Sequence, residues 1–505
     1  MKRILVPSMF LAAVLSAVAA QAQYVAPPIK HVVVIFQENR TPDNLFQGLC
    51  LVATCGTGGY DISSTYLNSQ NQTATLSPVG LATNFDLDHS HGQSPKTSGF
   101  NFEYFNQGIA GKPGVNVAPG CGKNVFGCVV PTNNYSQFMY VYNTPVTNSD
   151  KSKGGLLDPY ITLATRYGWG NRMFQTNQGP SYPAHQYIFG ASSADNQTDD
   201  AAGVFVSENA NSVGCASPPG STVQLIRPNG SGQPPFGTET SGDTVFPCYT
   251  RTSLADLFAN VNPKITWTYY SAGQSSIWVA PNSLTSVCTM TANGLCTGPY
   301  WTKGAANGFV DVKPPDVLTD IGKCKLQQVN WVTPSGQYSD HPINSGQGPS
   351  WVAAVVNAIG NSGCTDVVNG KTLTYWQDTA IFLTWDDWGG WYDHVPPVFQ
   401  NQNGNLVIQD DYELSFRVPL VVISAYSPKV GYISNLQYDF GSIVKAIEEI
   451  NGLPSLGFAD QRAPNDLHDF FNFNQTPTTY KTIPAPLTGS FFTGSNAPLE
   501  DPDTD

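Results

Sequence analysis

Two apolar runs in this chain each end in a pair of oxygen donors. Ala380 to Leu383 leads into Asp386-Asp387, and Val32 to Phe36 leads into Glu38-Asn39. Runs of this length and composition read as buried β-strands. Open α/β sheets present their chemistry beyond the carboxyl ends of such strands. Adjacent carboxylates repel, so Asp386 and Asp387 need a metal, a base or a shared proton to offset the cost. Taken alone, residues 379–397 (TAIFLTWDDWGGWYDHVPP) also read as an acidic turn, with Gly389-Gly390 as turn residues. The same pattern at residues 30–40 (KHVVVIFQENR) argues against a chance turn.

A hydroxyl completes the set. In residues 179–190 (GPSYPAHQYIFG), Ser181 precedes Pro183, which the first turn of a helix tolerates. At a helix N-terminus the dipole and free N–H groups stabilise an alkoxide or a bound phosphate; a plain N-cap serine is the alternative. Glu38, Asn39, Ser181, Asp386 and Asp387 are all hard oxygen donors. They suit one divalent ion of the Ca, Mg or Mn type better than zinc. A hydroxyl held by such an ion is an activated nucleophile. Attack on phosphorus fits better than attack on a carbonyl, because no G-x-S-x-G elbow surrounds Ser181.

The chain has 7 histidines. His89, His91, His341 and His394 lie in polar motifs beside aspartates, where an imidazole can bind a phosphate dianion or protonate a leaving group. Each is also open to a structural hydrogen-bonding role. His185 is either a further phosphate ligand or a helix-surface residue. His31 and His468 are given no role.

The elements that must position these groups follow from periodicity. Helices are expected at Asp158–Tyr167, Ser253–Phe258 and Trp351–Ile359, and from an N-cap at Ser442 to Glu449. Thr41 and Pro42 mark another helix start. Strands are expected at Ile265–Tyr269, Val329–Val332 and Val418–Ile423. Strands alternating with helices imply an α/β fold with a mostly parallel central sheet flanked by helices. Residues 191–250 and 271–325 are rich in Gly, Pro, Asn and Cys and read as insertions. Residues 474–505 are expected to form a loosely ordered tail.

Residues 1–22 read as a secretory signal, with Lys2 and Arg3 before an apolar run and a small-residue cleavage site at Ala20-Gln21-Ala22. One α/β domain is then expected over 23–473. No other stretch is apolar for long enough to span a bilayer, so the exported chain is expected to carry no stable membrane anchor. The 10 cysteines suit an oxidising compartment, with neighbour pairs 50–55, 121–128 and 288–296 as the natural pairing. A net charge of −13 argues against nucleic acid and anionic membrane surfaces as electrostatic partners. Oligomeric state leaves no mark in the sequence.

HVVVIFQENRTPDNLFQG, GPSYPAHQYIFG, SDHP, TWDDWGGWYDHVPP and FRVPLVVIS resemble, in this order, the landmarks of the bacterial phosphoesterase family that contains phospholipases C and acid phosphatases. That family is similar in its core to alkaline phosphatase, so the resemblance implies such a core with long disulfide-stapled insertions. It implies metal ligation by Glu38, Asn39, Asp386 and Asp387, with Ser181 as nucleophile. His341 would meet the substrate phosphate or leaving group, with His89, His91 and His394 nearby. Ser181 stands where many of the phospholipases carry Thr, which looks closer to the acid-phosphatase branch. Ala184 and His185 replace a common Asn-Arg pair, and Asp387 stands where Glu is common.

The implied activity is a secreted or periplasmic, metal-dependent phosphoric ester hydrolase, acid-phosphatase-like, acting through a phosphoserine. Phospholipase C action on lipids such as phosphatidylcholine is the alternative. Trp278, Trp301, Trp388 and Trp391 would then contact a choline cation or a lipid, or simply pack. A non-catalytic phosphoester-binding protein on the same fold is the alternative of another class.

Overall fold

The two apolar runs that end in oxygen donors lie side by side at the centre of one sheet. The computed structural model describes residues 27–67, 73–83, 89, 91, 138–209, 214–228, 238–274, 276–291, 293–395 and 414–494. The strands of the central sheet are β1 (His31–Gln37), β2 (Gly168–Met173), β3 (Trp267–Tyr270), β4 (Gly308–Asp311), β5 (Val329–Val332), β6 (Thr379–Trp385), β7 (Leu420–Ser424) and β8 (Tyr432–Tyr438). They lie in the order β4-β3-β5-β1-β6-β7-β2-β8. Only β7 runs against its neighbours; the other pairings are parallel. β1 and β6 are buried along their whole length, as strands covered on both faces must be.

Register fixes where the site can be. β1 and β6 pair from His31 opposite Thr379 to Gln37 opposite Trp385. The two parallel strands therefore end level, and Glu38 and Asp386 leave the sheet as neighbours.

Helices cover both faces. They include α1 (Asp158–Arg166), α2 (Ser181–Gly190), α3 (Leu254–Asn260), α4 (Gly348–Gly360) and α5 (Phe440–Asn451). α1 packs on α4, and α2 packs on α5. Successive strand residues face opposite sides. Phe36 meets the ring of His185 on α2, while Gln37 bonds the backbone of Tyr338 and Asp340, ahead of α4. Trp385 packs edge-on against Tyr160 of α1.

Some local expectations shift. α5 is capped by Asp439, whose carboxylate accepts from the Ser442 backbone, so Ser442 is the third helical residue rather than the cap. Ser181 is the first residue of α2, with Pro180 at the cap position. Thr41 does cap its helix, accepting from the Asn44 backbone, and Ser253 caps α3 in a capping box.

Residues 271–325 are not wholly an insertion. They supply the edge strand β4 and a helix at Asp316–Gly322. A four-residue edge strand carries too little pattern to be seen in sequence. Within 191–250, strands Phe205–Asn209, Val223–Arg227 and Thr238–Val245 form a separate antiparallel sheet. Residues 474–494, expected to be loosely ordered, instead dock on the core. Trp376 Nε1 donates to the Thr478 carbonyl at 2.6 Å. Phe492 is buried against Tyr338 and Trp351. A few apolar residues suffice when the surface that receives them already exists.

Disulfides join Cys50 to Cys55 and Cys288 to Cys296, as spacing suggests, and also Cys215 to Cys248 and Cys324 to Cys364. Cys121 and Cys128 lie outside the described residues, as do residues 1–22. Among the described residues no helix is long and apolar enough to cross a membrane. Thiol titration of the unfolded, unreduced protein is expected to find few free groups. Ten reactive thiols, the full cysteine complement, would contradict this pairing.

Candidate active site

Three carboxylates with no solvent exposure, Glu38, Asp386 and Asp387, meet just beyond the ends of β1 and β6. The backbone holds one oxygen of each aspartate, and the other points inward. Asp386 Oδ1 accepts from the backbone N–H of Asn39 (3.0 Å) and of Asp387 (2.8 Å). Asp387 Oδ1 accepts from the backbone N–H of Gly389 at 2.6 Å. Asp387 Oδ2 then receives the Ser181 hydroxyl at 3.2 Å. Ser181 Oγ also lies 3.3 Å from Glu38 Oε2.

The turn geometry is demanding. Asn39 has φ 59°, in the left-handed region, which Asn tolerates better than most residues. Gly389 has φ +60°, and a Cβ there would stand 2.5 Å from the Asn39 carbonyl oxygen. Only glycine lets the two strand-end turns approach this closely. Gln175 ties them to the loop before α2. Its Oε1 accepts from the Trp388 backbone at 2.9 Å, and its Nε2 donates to the carbonyls of Asn177 and Gly179.

Burial, then the charge of Asp386, raises the Glu38 pKa well above the usual carboxylate range. Three such groups cannot all ionise beside one another without a cation or a proton. Two polar atoms add acceptors without donors to the cluster. Asn39 Oδ1 and Asp386 Oδ2 are buried and have no hydrogen-bond partner among the described residues. Buried acceptors without donors are costly. Asn39 Nδ2 donates to His89 Nε2 at 2.9 Å, which turns Oδ1 the other way. The donors present therefore fit a divalent ion.

His185 sits one helical turn beyond Ser181, on the same side of α2. Its Nδ1 lies 3.2 Å from the Tyr269 hydroxyl, which itself donates to the Trp278 carbonyl. Nδ1 therefore carries the proton in that contact, and Nε2 presents a lone pair to Glu38 Oε1 (3.3 Å) and Asp386 Oδ2 (3.7 Å). Burial pushes the His185 pKa down to about 4, with the Asp386 charge opposing, so the ring is neutral. The helix-surface alternative for His185 is thus excluded. Spacing i, i+4 from Ser181 was the sequence signal for this orientation. Tyr269 and Gln175 left no such signal, because only the tertiary fold brings them here.

The remaining sequence candidates divide. His89 touches the cluster through Asn39 and stands 3.9 Å from Asp387 Oδ2. His341 lies in the loop that Gln37 and Arg40 bind. Its Nδ1 donates to the Pro342 carbonyl at 2.7 Å, which sets the tautomer. His91 pairs with Glu239 of the separate sheet at 3.1 Å. His394 does not present a nitrogen to substrate. Its Nδ1 bonds Asp43 at 2.7 Å and its Nε2 bonds Asp61 at 3.2 Å. The aspartates near His89 in sequence, Asp86 and Asp88, lie outside the described residues. Trp278, Trp388 and Trp391 are buried, with Arg40 over the Trp391 ring, and Trp301 packs by the cystines of residues 215–296. Trp278, Trp388 and Trp391 pack and are not laid open for a choline cation.

Two other groups of acids and histidines each have a cationic side chain of the protein beside them. Asp43, Asp393 and His394 surround the buried Arg417, whose guanidinium grips Asp393 at 2.8 and 3.0 Å. His31, Asp366 and Asp378 include an ion pair from Lys30 to Asp366.

The His394 network gives stability a predictable pH dependence. Burial alone would lower the His394 pKa, but bonds to Asp43 and Asp61 outweigh it and raise it from 6.5 to about 10. The His394 bond holds Asp61 down, from 3.8 to about 2. A raised histidine stabilises the fold fully below about pH 6.5 and ceases to do so as pH rises through about 10. The lowered aspartate contributes above about pH 3.8 and ceases as pH falls through about 2. Melting temperature is expected to fall from pH 7 to pH 10, and His394→Asn to flatten that limb. An unchanged alkaline limb in the variant would contradict the network.

Residues 29–454 match the phosphoesterase family. A non-hemolytic phospholipase C of Burkholderia pseudomallei is 29% identical over 199 residues, covering 34% of this chain and 26% of that protein. A non-hemolytic phospholipase C of Pseudomonas aeruginosa is 27% identical over 244 residues, covering 44% and 30%. Phospholipase C A of Mycobacterium tuberculosis is 26% identical over 204 residues, covering 37% of each. The chain thus matches well under half the length of these relatives. A Vibrio parahaemolyticus protein in the alkaline phosphatase superfamily overlays with a TM-score of 0.30 at 10% identity, covering 62% of this chain and 65% of that one. That overlay is too loose to carry an argument. The family match takes in both acidic strand ends, Ser181 and all eight strands of the central sheet, and the chain belongs to the phosphoesterase family.

Proposed function

We propose that the chain is an exported phosphoric ester hydrolase in which Ser181 attacks phosphorus. The observation that carries this reading is the position of Ser181 Oγ, at the first residue of buried α2 and 3.2–3.3 Å from Asp387 and Glu38. Membership of the phosphoesterase family supports it. Disulfides support export.

Glu38, Asn39, Ser181, Asp386 and Asp387 would hold one divalent ion, which supplies charge neutralisation at the phosphoryl oxygens and a lowered hydroxyl pKa. Ser181 gives its proton to a neighbouring carboxylate and attacks in line. The ester oxygen leaves, protonated by His341, and a phosphoserine remains. Water then breaks the new P–O bond, releasing phosphate and restoring the hydroxyl. The N-terminus of α2 faces the developing negative charge with N–H groups that have no helical partner. Pro183 sits where its missing N–H costs no helical bond.

Phosphomonoesters are the leading substrate class, since Trp278, Trp388 and Trp391 are buried and so, among the described residues, form no open aromatic cage for a lipid head group. The names of the relatives favour a second reading, diester cleavage of phospholipids. Hydrolysis of p-nitrophenyl phosphate and phosphatidylcholine, each with and without chelator, separates the two. It also separates both from a protein that only binds phosphoesters.

Ser181→Ala is expected to lower turnover on the order of 10³-fold or more and to keep the fold, because Ser181 makes no capping bond. Labelled phosphate quenched during turnover should be found on Ser181. His341→Ala is expected to slow alkyl phosphates by ~10²-fold or more and p-nitrophenyl phosphate far less, since a good leaving group needs no acid. Wild-type rates in the Ser181 variant, or label on a histidine, would overturn the mechanism.

A further inference from the structure

The oxygen donors at the strand ends do not account for every group that faces the proposed ion. His185 is fully buried, and its ring is held between the Phe36 edge, with centroids 5.6 Å apart, and the Trp278 face at 6.2 Å. Tyr269 takes its Nδ1 at 3.2 Å. That contact fixes both ring orientation and tautomer, as outer partners of metal-bound histidines commonly do. What remains is an Nε2 lone pair aimed between two carboxylates. Its distances of 3.3 Å to Glu38 Oε1 and 3.7 Å to Asp386 Oδ2 are those of atoms around a common centre. Asp386 Oδ2 has no donor among the described residues. An Nε2 lone pair facing two carboxylates is repulsive unless a proton or a cation lies between them, and a single cation serves both carboxylates and the ring at once.

We propose that His185 Nε2 ligates the same ion as Glu38 and Asp386, making the centre a mixed nitrogen–oxygen site that prefers borderline ions such as zinc, cobalt or iron(II) over magnesium and calcium. The inference rests on the metal site of the proposed function and adds to it. Oxygen-only donors suit magnesium, calcium and manganese, whereas imidazole draws the preference toward later transition metals. Tyr269 is then a positioning residue, acting on the ion only through the histidine ring.

The chain stripped of metal and reloaded with manganese(II) allows a direct reading by electron spin-echo modulation, which detects a nitrogen bound to the ion. Wild-type protein is expected to show nitrogen modulation. His185→Gln should bind manganese and lose it. Zinc should lose affinity in His185→Gln by roughly tenfold or more, the scale on which even outer partners of metal ligands act, while magnesium affinity changes little. Tyr269→Phe should broaden or weaken the nitrogen signal without removing the ion. Manganese bound stoichiometrically with no nitrogen modulation would overturn the proposal and leave the metal reading intact. Stoichiometric manganese that persists in Asp386→Asn would overturn the metal reading itself.

Discussion

Charge repulsion among Glu38, Asp386 and Asp387 is the constraint on which the rest of the structure depends. All three are without solvent exposure. Two unit charges ~4 Å apart repel by about 4 kcal/mol at an effective dielectric of ~20. The fold accepts this cost in one place and arranges its surroundings around it. Backbone N–H groups hold one oxygen of each aspartate, Asn39 takes a left-handed turn, and Gly389 leaves room for it. Such a cluster is poor as a structural device. The Arg417 network shows the contrast, for there the buried carboxylates of Asp43 and Asp393 have a guanidinium beside them.

The scaffold makes the convergence rigid. Parallel pairing of β1 with β6 puts Gln37 opposite Trp385, so the next residue of each strand must emerge at the same level. α2 brings Ser181 and His185 to that point from one helical face. Gln175 links the loop before α2 to the turn after β6. The contacts that join β1, α2 and the turn after β6 are short in space and long in sequence, so the site exists only when the sheet is complete.

The parts legible in sequence are those set by local pattern. The apolar runs of β1 and β6 announce themselves, and so do their acidic ends, because burial and polarity change within a few residues. The Thr41 and Ser253 caps are equally local. What sequence hides is tertiary. The reversed direction of β7 leaves its apolar pattern unchanged. β4 is too short to stand out from the loops around it. His394 resembles a catalytic histidine beside an aspartate, yet Asp43 and Asp61, far along the chain, lock it into an ion network. His185 resembles a surface histidine until Tyr269 and Trp278, far along the chain, close over it.

The central claim is that these buried carboxylates are arranged to hold one divalent cation. A crystal of the protein soaked in manganese(II) and measured by anomalous scattering tests it most directly. The account predicts a single strong peak beyond the ends of β1 and β6, roughly 2.0–2.6 Å from the inward oxygens of Glu38, Asn39 and Asp386. A fully soaked crystal with no peak there, and Asp386 Oδ2 still buried without a donor, would contradict it.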